Sequence, residues 1–230
     1  MSSSNQISIK STPHSSLKPE PYHHGNLRQA LLESAMEIVE QNGIEALSLR
    51  EVARRANVSP AAPYHHFKDK AAILGELAQI GLERLATNSR QAIVGISHPL
   101  EKLNQIGIAY VLYAFDHPNQ FKLMFSTELP QASAYNFDDP AQTVLLEILR
   151  DCVKIGCINI KDEQSLRLAA IRSWALVHGL ATLIVSGPLG HSIKTRAQVI
   201  ELTRQITGDE NIDISPEKTA SKSKTHSRKR

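Results

Sequence analysis

The chain has 230 residues, 41% of them hydrophobic and 5% aromatic, with a net charge of +3. That length can bury a substantial core in one or two domains, and so few aromatics favour aliphatic, Ala-rich helical packing over a β-sandwich. Six of the 26 Lys and Arg fall between Lys218 and Arg230, a stretch without Asp or Glu; this leaves 20 basic against 23 acidic residues elsewhere, which excludes a globally basic, histone-like binder and requires any nucleic-acid contact in the body to come from a local cluster.

Residues 1–21 are rich in Ser, Pro and Lys and are expected to form a flexible arm. They lack the apolar segment of a secretory signal, and no unbroken run of about 18 apolar residues occurs anywhere, so no membrane span is expected. The first helix is predicted over residues 26–42, with Asn26 as N-cap and Gly43 as the left-handed C-terminal residue. Leu27, Ala30, Leu31, Ala35, Ile38 and Val39 recur at helical spacing along it. A short second helix starts after Ser48, whose spacing to Glu51 is that of a capping box, and ends near Ala56. Asn57 follows, a residue that tolerates positive φ. Val58 then plugs the core, Ser59 caps a third helix, and Pro60 fits its first position, where a missing N–H is harmless.

Two short helices across a tight turn have helix-turn-helix spacing. Leu49, Val52, Ala53, Ala56, Val58, Pro63 and Phe67 can form one small core, which leaves Ala61, Ala62, Tyr64, His65 and Lys68 facing outward. Small Ala61 and Ala62 permit close approach and can touch a thymine methyl. Tyr64 and Lys70 are natural phosphate ligands, and Arg50 and Arg54 lie outside the second helix. The expected DNA-contacting set is Ser48, Arg50, Ser59, Ala61, Ala62, Tyr64, His65, Lys68 and Lys70. A plain three-helix bundle with solvated charges is the alternative, but caps, turn residue, core pattern and outward set all agree on the DNA-reading unit.

Further helices are predicted over residues 69–90, 100–115, 119–126, 141–156, 162–186 and 194–207, with a loop over 127–140 and a basic disordered tail over 209–230. Cys152 and Cys157, five residues apart, are expected to point to different helix faces as two separate reduced thiols. Tyr110, Tyr113, Phe115, Phe121, Met124 and Phe125 form an aromatic and Met group, and Trp174 and His178 share a helix face. Tyr110, Phe121, Met124, Trp174 and His178 are therefore candidates to line a pocket, with ordinary core packing as the competing reading. The helices over 162–186 and 194–207 are the dimerisation candidates, with Val177, Leu180, Ala181 and Ile184 as the packing residues.

The segments Tyr22–Arg28, Ser48–Arg54 and Val58–Lys70, above all the Tyr64-x-x-Phe67-x-x-Lys70 run, resemble the N-terminal domain of TetR-family regulators from Tyr22 to about Leu85. Asn57 stands where that family usually has Gly. Trp174-x-x-x-His178-Gly179 resembles the Trp-x-x-x-His-Gly signature of one C-terminal subgroup. The resemblance implies an all-α protein: a three-helix DNA-binding domain over residues 22–70, then a helical ligand-binding and dimerisation domain over 71–208. It implies a cytoplasmic repressor that binds double-stranded DNA at a palindromic operator as a homodimer, with an unknown small-molecule effector and no cofactor. The effector would shift the helix over 69–90 and so change the spacing of the two DNA units. No nucleophile motif, phosphate loop or metal-ligand spacing suggests an enzyme. A chromosome-organising DNA binder without an effector is the second alternative, one that would lean on the basic tail.

Overall fold

Among the described residues of the computed structural model, 24–127, 129 and 140–208, every regular element is a helix. The expected arm and basic tail, and most of the expected 127–140 loop, lie outside the described residues. Helix α1 is His24–Asn42; it begins before Asn26, so that residue lies within the helix instead of capping it. It ends as expected at Gly43, with φ 84°. Helix α2 is Leu49–Arg55, and Ser48 Oγ accepts the Glu51 N–H at 3.1 Å. Only that half of the expected capping box forms, because the Glu51 carboxylate turns to Arg54 instead.

The turn after α2 is built on Asn57, at φ 54°. The Val58 N–H reaches back to Ala53 O at 3.0 Å, a Schellman closure that packs half-buried Val58 against the core. The third helix departs from expectation: it is a four-residue 3-10 turn, Ala62–His65, and Ala61 rather than Ser59 precedes it, without a side-chain cap. Pro63 explains the difference. It has no N–H for the Ser59 carbonyl, so that carbonyl takes the Ala62 N–H instead, at 3.0 Å, which tightens the turn.

Asp69 caps α3, Lys70–Ala92, by accepting the Ala72 N–H at 2.9 Å. There follow α4 (Pro99–Asp116), α5 (Pro118–Met124), α6 (Pro140–Lys154) and α7 (Glu163–Val185). A 3-10 turn, Pro188–His191, which no predicted element covers, precedes α8, Arg196–Thr207. Thr195 and Gln198 give α8 a complete capping box.

Three apolar clusters hold these helices. The first joins α1, α2, Phe67 and the start of α3; the second joins α3, α4, α5, α7 and α8; the third joins α3, α4, α6 and α7. Helix α3 threads all three, through Ile73 and Leu77, then Leu82 and Leu85, then Ala86. Helix α5 is shared as well: Leu123 belongs to the first cluster, Phe121 and Met124 to the second. Buried Gln120 ties the same helix to its neighbours, accepting from Tyr113 Oη at 2.6 Å and donating to Met36 Sδ of α1 at 3.0 Å.

Helices α3 and α5 meet at Gly81. A Cβ there would stand 2.8 Å from Cγ and Sδ of Met124, which is itself buried. Gly81→Ala is expected to lower stability by up to about 2 kcal/mol, as overpacking of about 1–3 kcal/mol outweighs a helix-propensity gain of about 1 kcal/mol. A reduced urea midpoint would show it; an unchanged or raised one would show that Met124 yields freely.

Two further expectations are corrected. Helix α6 stops at Lys154, and Gly156 (φ 75°) reverses the chain, so Cys157 folds back to donate its thiol to Cys152 O at 3.3 Å. The two cysteines are neighbours; a helical projection does not apply past the end of the helix. The second correction concerns α7, which is long and apolar enough to cross a membrane by length and composition alone, with a mean hydropathy of 1.6, although Arg167 and Arg172 break any continuous apolar run. The expected dimerisation residues Val177, Leu180, Ala181 and Ile184 are buried within this chain. The outward stripe of α7 is instead Leu168, Ile171, Ala175, Gly179 and Leu183. Both stripes are apolar, so hydrophobicity alone did not say which one faces inward.

Candidate nucleic-acid interface and aromatic cluster

The 3-10 turn is fixed from below. Phe67, 1% exposed, closes it through its N–H to Pro63 O at 2.9 Å. The Arg28 guanidinium lies 5.4 Å from the Phe67 ring centroid and is paired with Glu76 of α3. Arg55 ties α2 to α1 through two 3.0 Å bonds to Gln41 Oε1. Neither Arg28 nor Arg55 was expected to hold the unit together; an arginine's partner across tens of residues leaves no local pattern.

Ala61, Tyr64, His65 and Lys68 are exposed, with Ala62 and Lys70 at intermediate burial. These residues share the outside of the turn and the start of α3. Ser48, Arg50 and Ser59 are also exposed, but the Ser48 hydroxyl is engaged as the α2 cap. Arg54 is folded onto Glu51, with bonds of 2.8 and 2.6 Å to its carboxylate. That pairing lowers the Glu51 carboxyl from its ordinary value and raises Arg54. Both carboxylates near this face are thus engaged, Glu51 with Arg54 and Asp69 with the α3 N-terminus. The charge of the turn therefore comes from Arg50, Lys68 and Lys70, with the hydrogen-bonding groups of Tyr64 and His65 beside them. A surface of that kind suits a polyanion approached closely by small side chains.

The aromatic residues converge from α4, α5 and α7. His178 lies 4.6 Å from Phe125, 5.1 Å from Trp174 and 5.4 Å from Phe121, centroid to centroid. Trp174 Nε1–H donates to Tyr110 Oη at 3.2 Å, and Tyr110 Oη lies 2.8 Å from His178 Nδ1. A hydroxyl proton given by Tyr110 to His178 Nδ1 fits a neutral imidazole. Of the five pocket candidates, Tyr110, Phe121, Trp174 and His178 come together; Met124 shares their cluster but turns its Cγ and Sδ toward Gly81. Phe125, left out of that set, is His178's nearest ring among these. On the first turns of α6, buried Gln142 leaves its Oε1 without a hydrogen-bond partner.

Burial holds His178 below the ordinary imidazole value of 6.5, which it regains on unfolding. As pH falls through 6.5 the unfolded chain binds a proton that the folded chain refuses, so the His178 contribution to stability is flat above that value and falls in acid. The slope is at most about 1.4 kcal/mol per pH unit. His178→Gln is expected to flatten urea-midpoint profiles below about pH 7; an unchanged slope would place the effect on other groups.

Residues 31–77 match the family described as bacterial regulatory proteins, tetR family, and residues 103–205 match the tetracyclin repressor-like C-terminal domain. The HTH-type transcriptional regulator YobS of Bacillus subtilis is 28% identical over 98 residues, 43% of this chain and 51% of its own. The HTH-type transcriptional repressor KstR2 of Mycolicibacterium smegmatis is 26% identical over 113 residues, 49% of this chain and 55% of its own. The chain thus spans about half the length of these curated relatives. A solved structure of a Rhodococcus protein of unknown function is 30% identical, with a TM-score of 0.67 over 82% of this chain and 97% of that one.

Proposed function

Because the chain belongs to the TetR family of bacterial regulatory proteins, we propose that it is a sequence-specific transcriptional regulator, a ligand-responsive repressor that holds a palindromic operator as a homodimer. The observation that carries this reading is the unit from Ser48 to Lys70: two short helical elements across left-handed Asn57, with Ala61, Tyr64, His65 and Lys68 exposed. Ala61, Ala62 and His65 face base edges; Tyr64, Lys68 and Lys70, with Ser48, Arg50 and Ser59 at the margins, hold phosphates. Binding, not turnover, is the proposed activity, in the cytoplasm and without a cofactor.

The second copy is proposed to cover the outward stripe of α7, whose Leu168, Ile171 and Leu183 are each about 40% exposed, together with α8. Gly179 supports this: a Cβ there meets nothing within 4 Å of this chain, which suits close approach of a partner helix. A two-fold dimer sets two DNA units at a fixed spacing. The effector is proposed to be apolar or weakly polar and to bind at the cluster of Tyr110, Phe121, Trp174 and His178, with Trp174, His178 and Gly179 as the signature of that subgroup. Its arrival would reach the DNA unit through α3 and α5, both of which pack in the first cluster and the second. A coupling of about 1–3 kcal/mol would weaken operator binding roughly 5–150-fold.

The test is binding of the purified protein to the DNA flanking its own gene, against a scrambled duplex at about 0.15 M salt. A preference of about 10³-fold or more, with two chains per site, is expected. Equal affinity for the flanking DNA, the scrambled duplex and a panel of genomic fragments would overturn sequence specificity.

A further inference from the structure

The chain's two cysteines belong neither to the proposed DNA-contacting set nor to the aromatic rings around His178. They close the C-terminus of α6 as a Schellman pair: the Gly156 N–H bonds Val153 O at 3.0 Å and the Cys157 N–H bonds Cys152 O at 3.0 Å, across left-handed Gly156. That closure sets residue 157 directly over residue 152. The Cys157 thiol lies against its partner's carbonyl at 3.3 Å. Cys152 is fully buried in the third cluster, among side chains of α4, α6 and α7, while Cys157 is exposed. One sulfur therefore meets solvent and the other waits beneath it, which is the arrangement of an attacked and a resolving thiol.

We propose that Cys152 and Cys157 are a peroxide-sensitive dithiol that closes to an intramolecular disulfide. The exposed Cys157 thiolate attacks one oxygen of a hydroperoxide; the O–O bond breaks, Cys157 becomes a sulfenic acid, and the other oxygen leaves as hydroxide or alkoxide. The Cys152 sulfur then attacks the Cys157 sulfur, an S–S bond forms, and the sulfenic hydroxyl departs with the Cys152 proton as water. Two thiols and one hydroperoxide thus give one disulfide, one water and one alcohol or second water. The backbone hydrogen bond already holds the two residues side by side, so closure asks chiefly for rotation of the two sulfurs toward each other. Burial, and then the adjacent Cys157 thiol, push the Cys152 thiol up to about 12; it keeps its proton at rest, which leaves the first oxidation to Cys157. The tie would form on α6, a helix that packs on α3. This chemistry does not depend on what the DNA face binds.

The experiment exposes the reduced full-length chain to hydrogen peroxide. Thiols titrated after denaturation are expected to fall from two per chain to none, with the chain still running as a monomer on a non-reducing denaturing gel. Cleavage after Lys154 should separate residues 151–154 from residues 155–161; in a non-reducing tryptic digest of the oxidised protein these two peptides should stay joined until reductant is added. Cys157→Ser, a change at an exposed position, is expected to keep its remaining thiol under the same exposure. Cys152→Ala is expected to leave a sulfenic acid at Cys157 that a 1,3-diketone traps. Wild-type chains that keep both thiols, cross-link to one another, or oxidise to sulfinic acid without joined peptides would overturn the proposal.

Discussion

Tyr64→Ala combined with Lys70→Ala is expected to weaken operator binding by about 10³–10⁴-fold while leaving the fold intact. Each dimer would lose two charge-assisted phosphate bonds and two hydroxyl ones, together about 4–6 kcal/mol. Tyr64 is 55% exposed, so truncating it removes little packing, and the α3 cap depends on Asp69 and not on Lys70. The loss should be nearly uniform across DNA sequences, because phosphate contacts position the protein without reading bases. Lys70→Ala alone should make the slope of log affinity against log salt shallower by about 1.8 per dimer. Titration at several salt concentrations reads both quantities, and an unchanged urea midpoint guards against unfolding. Wild-type affinity in the double variant would move the DNA contact off this face.

Phe67→Ala carries the largest expected stability loss. The ring is 1% exposed, sits in the first cluster and is covered by the Arg28 guanidinium. Removing a buried Phe costs about 3–5 kcal/mol, a large share of the 5–15 kcal/mol typical of a whole domain. Urea unfolding can be followed by helix content and by the fluorescence of Trp174, the chain's single tryptophan, which packs against the second and third clusters. Both probes are expected to shift to lower urea together, because α5 places Leu123 in the same core as Phe67. Helix loss well ahead of the fluorescence change would show instead that the DNA unit melts alone.

The DNA unit was legible because its signals are local. Ser48 three residues before Glu51, Asn57 at the turn, and the spacing of Leu49, Val52 and Phe67 each act within one or two turns of chain. The same locality misled where a second local rule competed: Ser59 looked like a helix cap, but Pro63 removes the N–H that an α-turn needs. Longer-range features were closed to pattern reading. Tyr110 and His178 both look like candidates, but their hydrogen bond spans 68 residues, and nothing in either segment announces the other. Helix α7 shows the general limit. Periodicity reveals that it has apolar faces but not which one Tyr110 and Val199 cover from inside, so only the folded chain shows the outward stripe. Cys152 and Cys157 failed for a geometric reason, since one glycine ended the helix between them.

The double membership of α5 bears on how regulators of this kind can be recombined. In a chimaera that joins this DNA unit to a foreign effector body after α3, the first core would lose Leu123, and α1 would lose the partner that Gln120 gives to Met36. The foreign α5 would have to supply matching shapes toward two cores at once. Grafts that carry α5 along with α1–α3 keep one seam intact but open the other, beside Phe121 and Met124. On the proposed assignment of Ala61, Ala62 and His65 to base edges, new operator specificity is easier to install at those three positions than by exchanging the whole head.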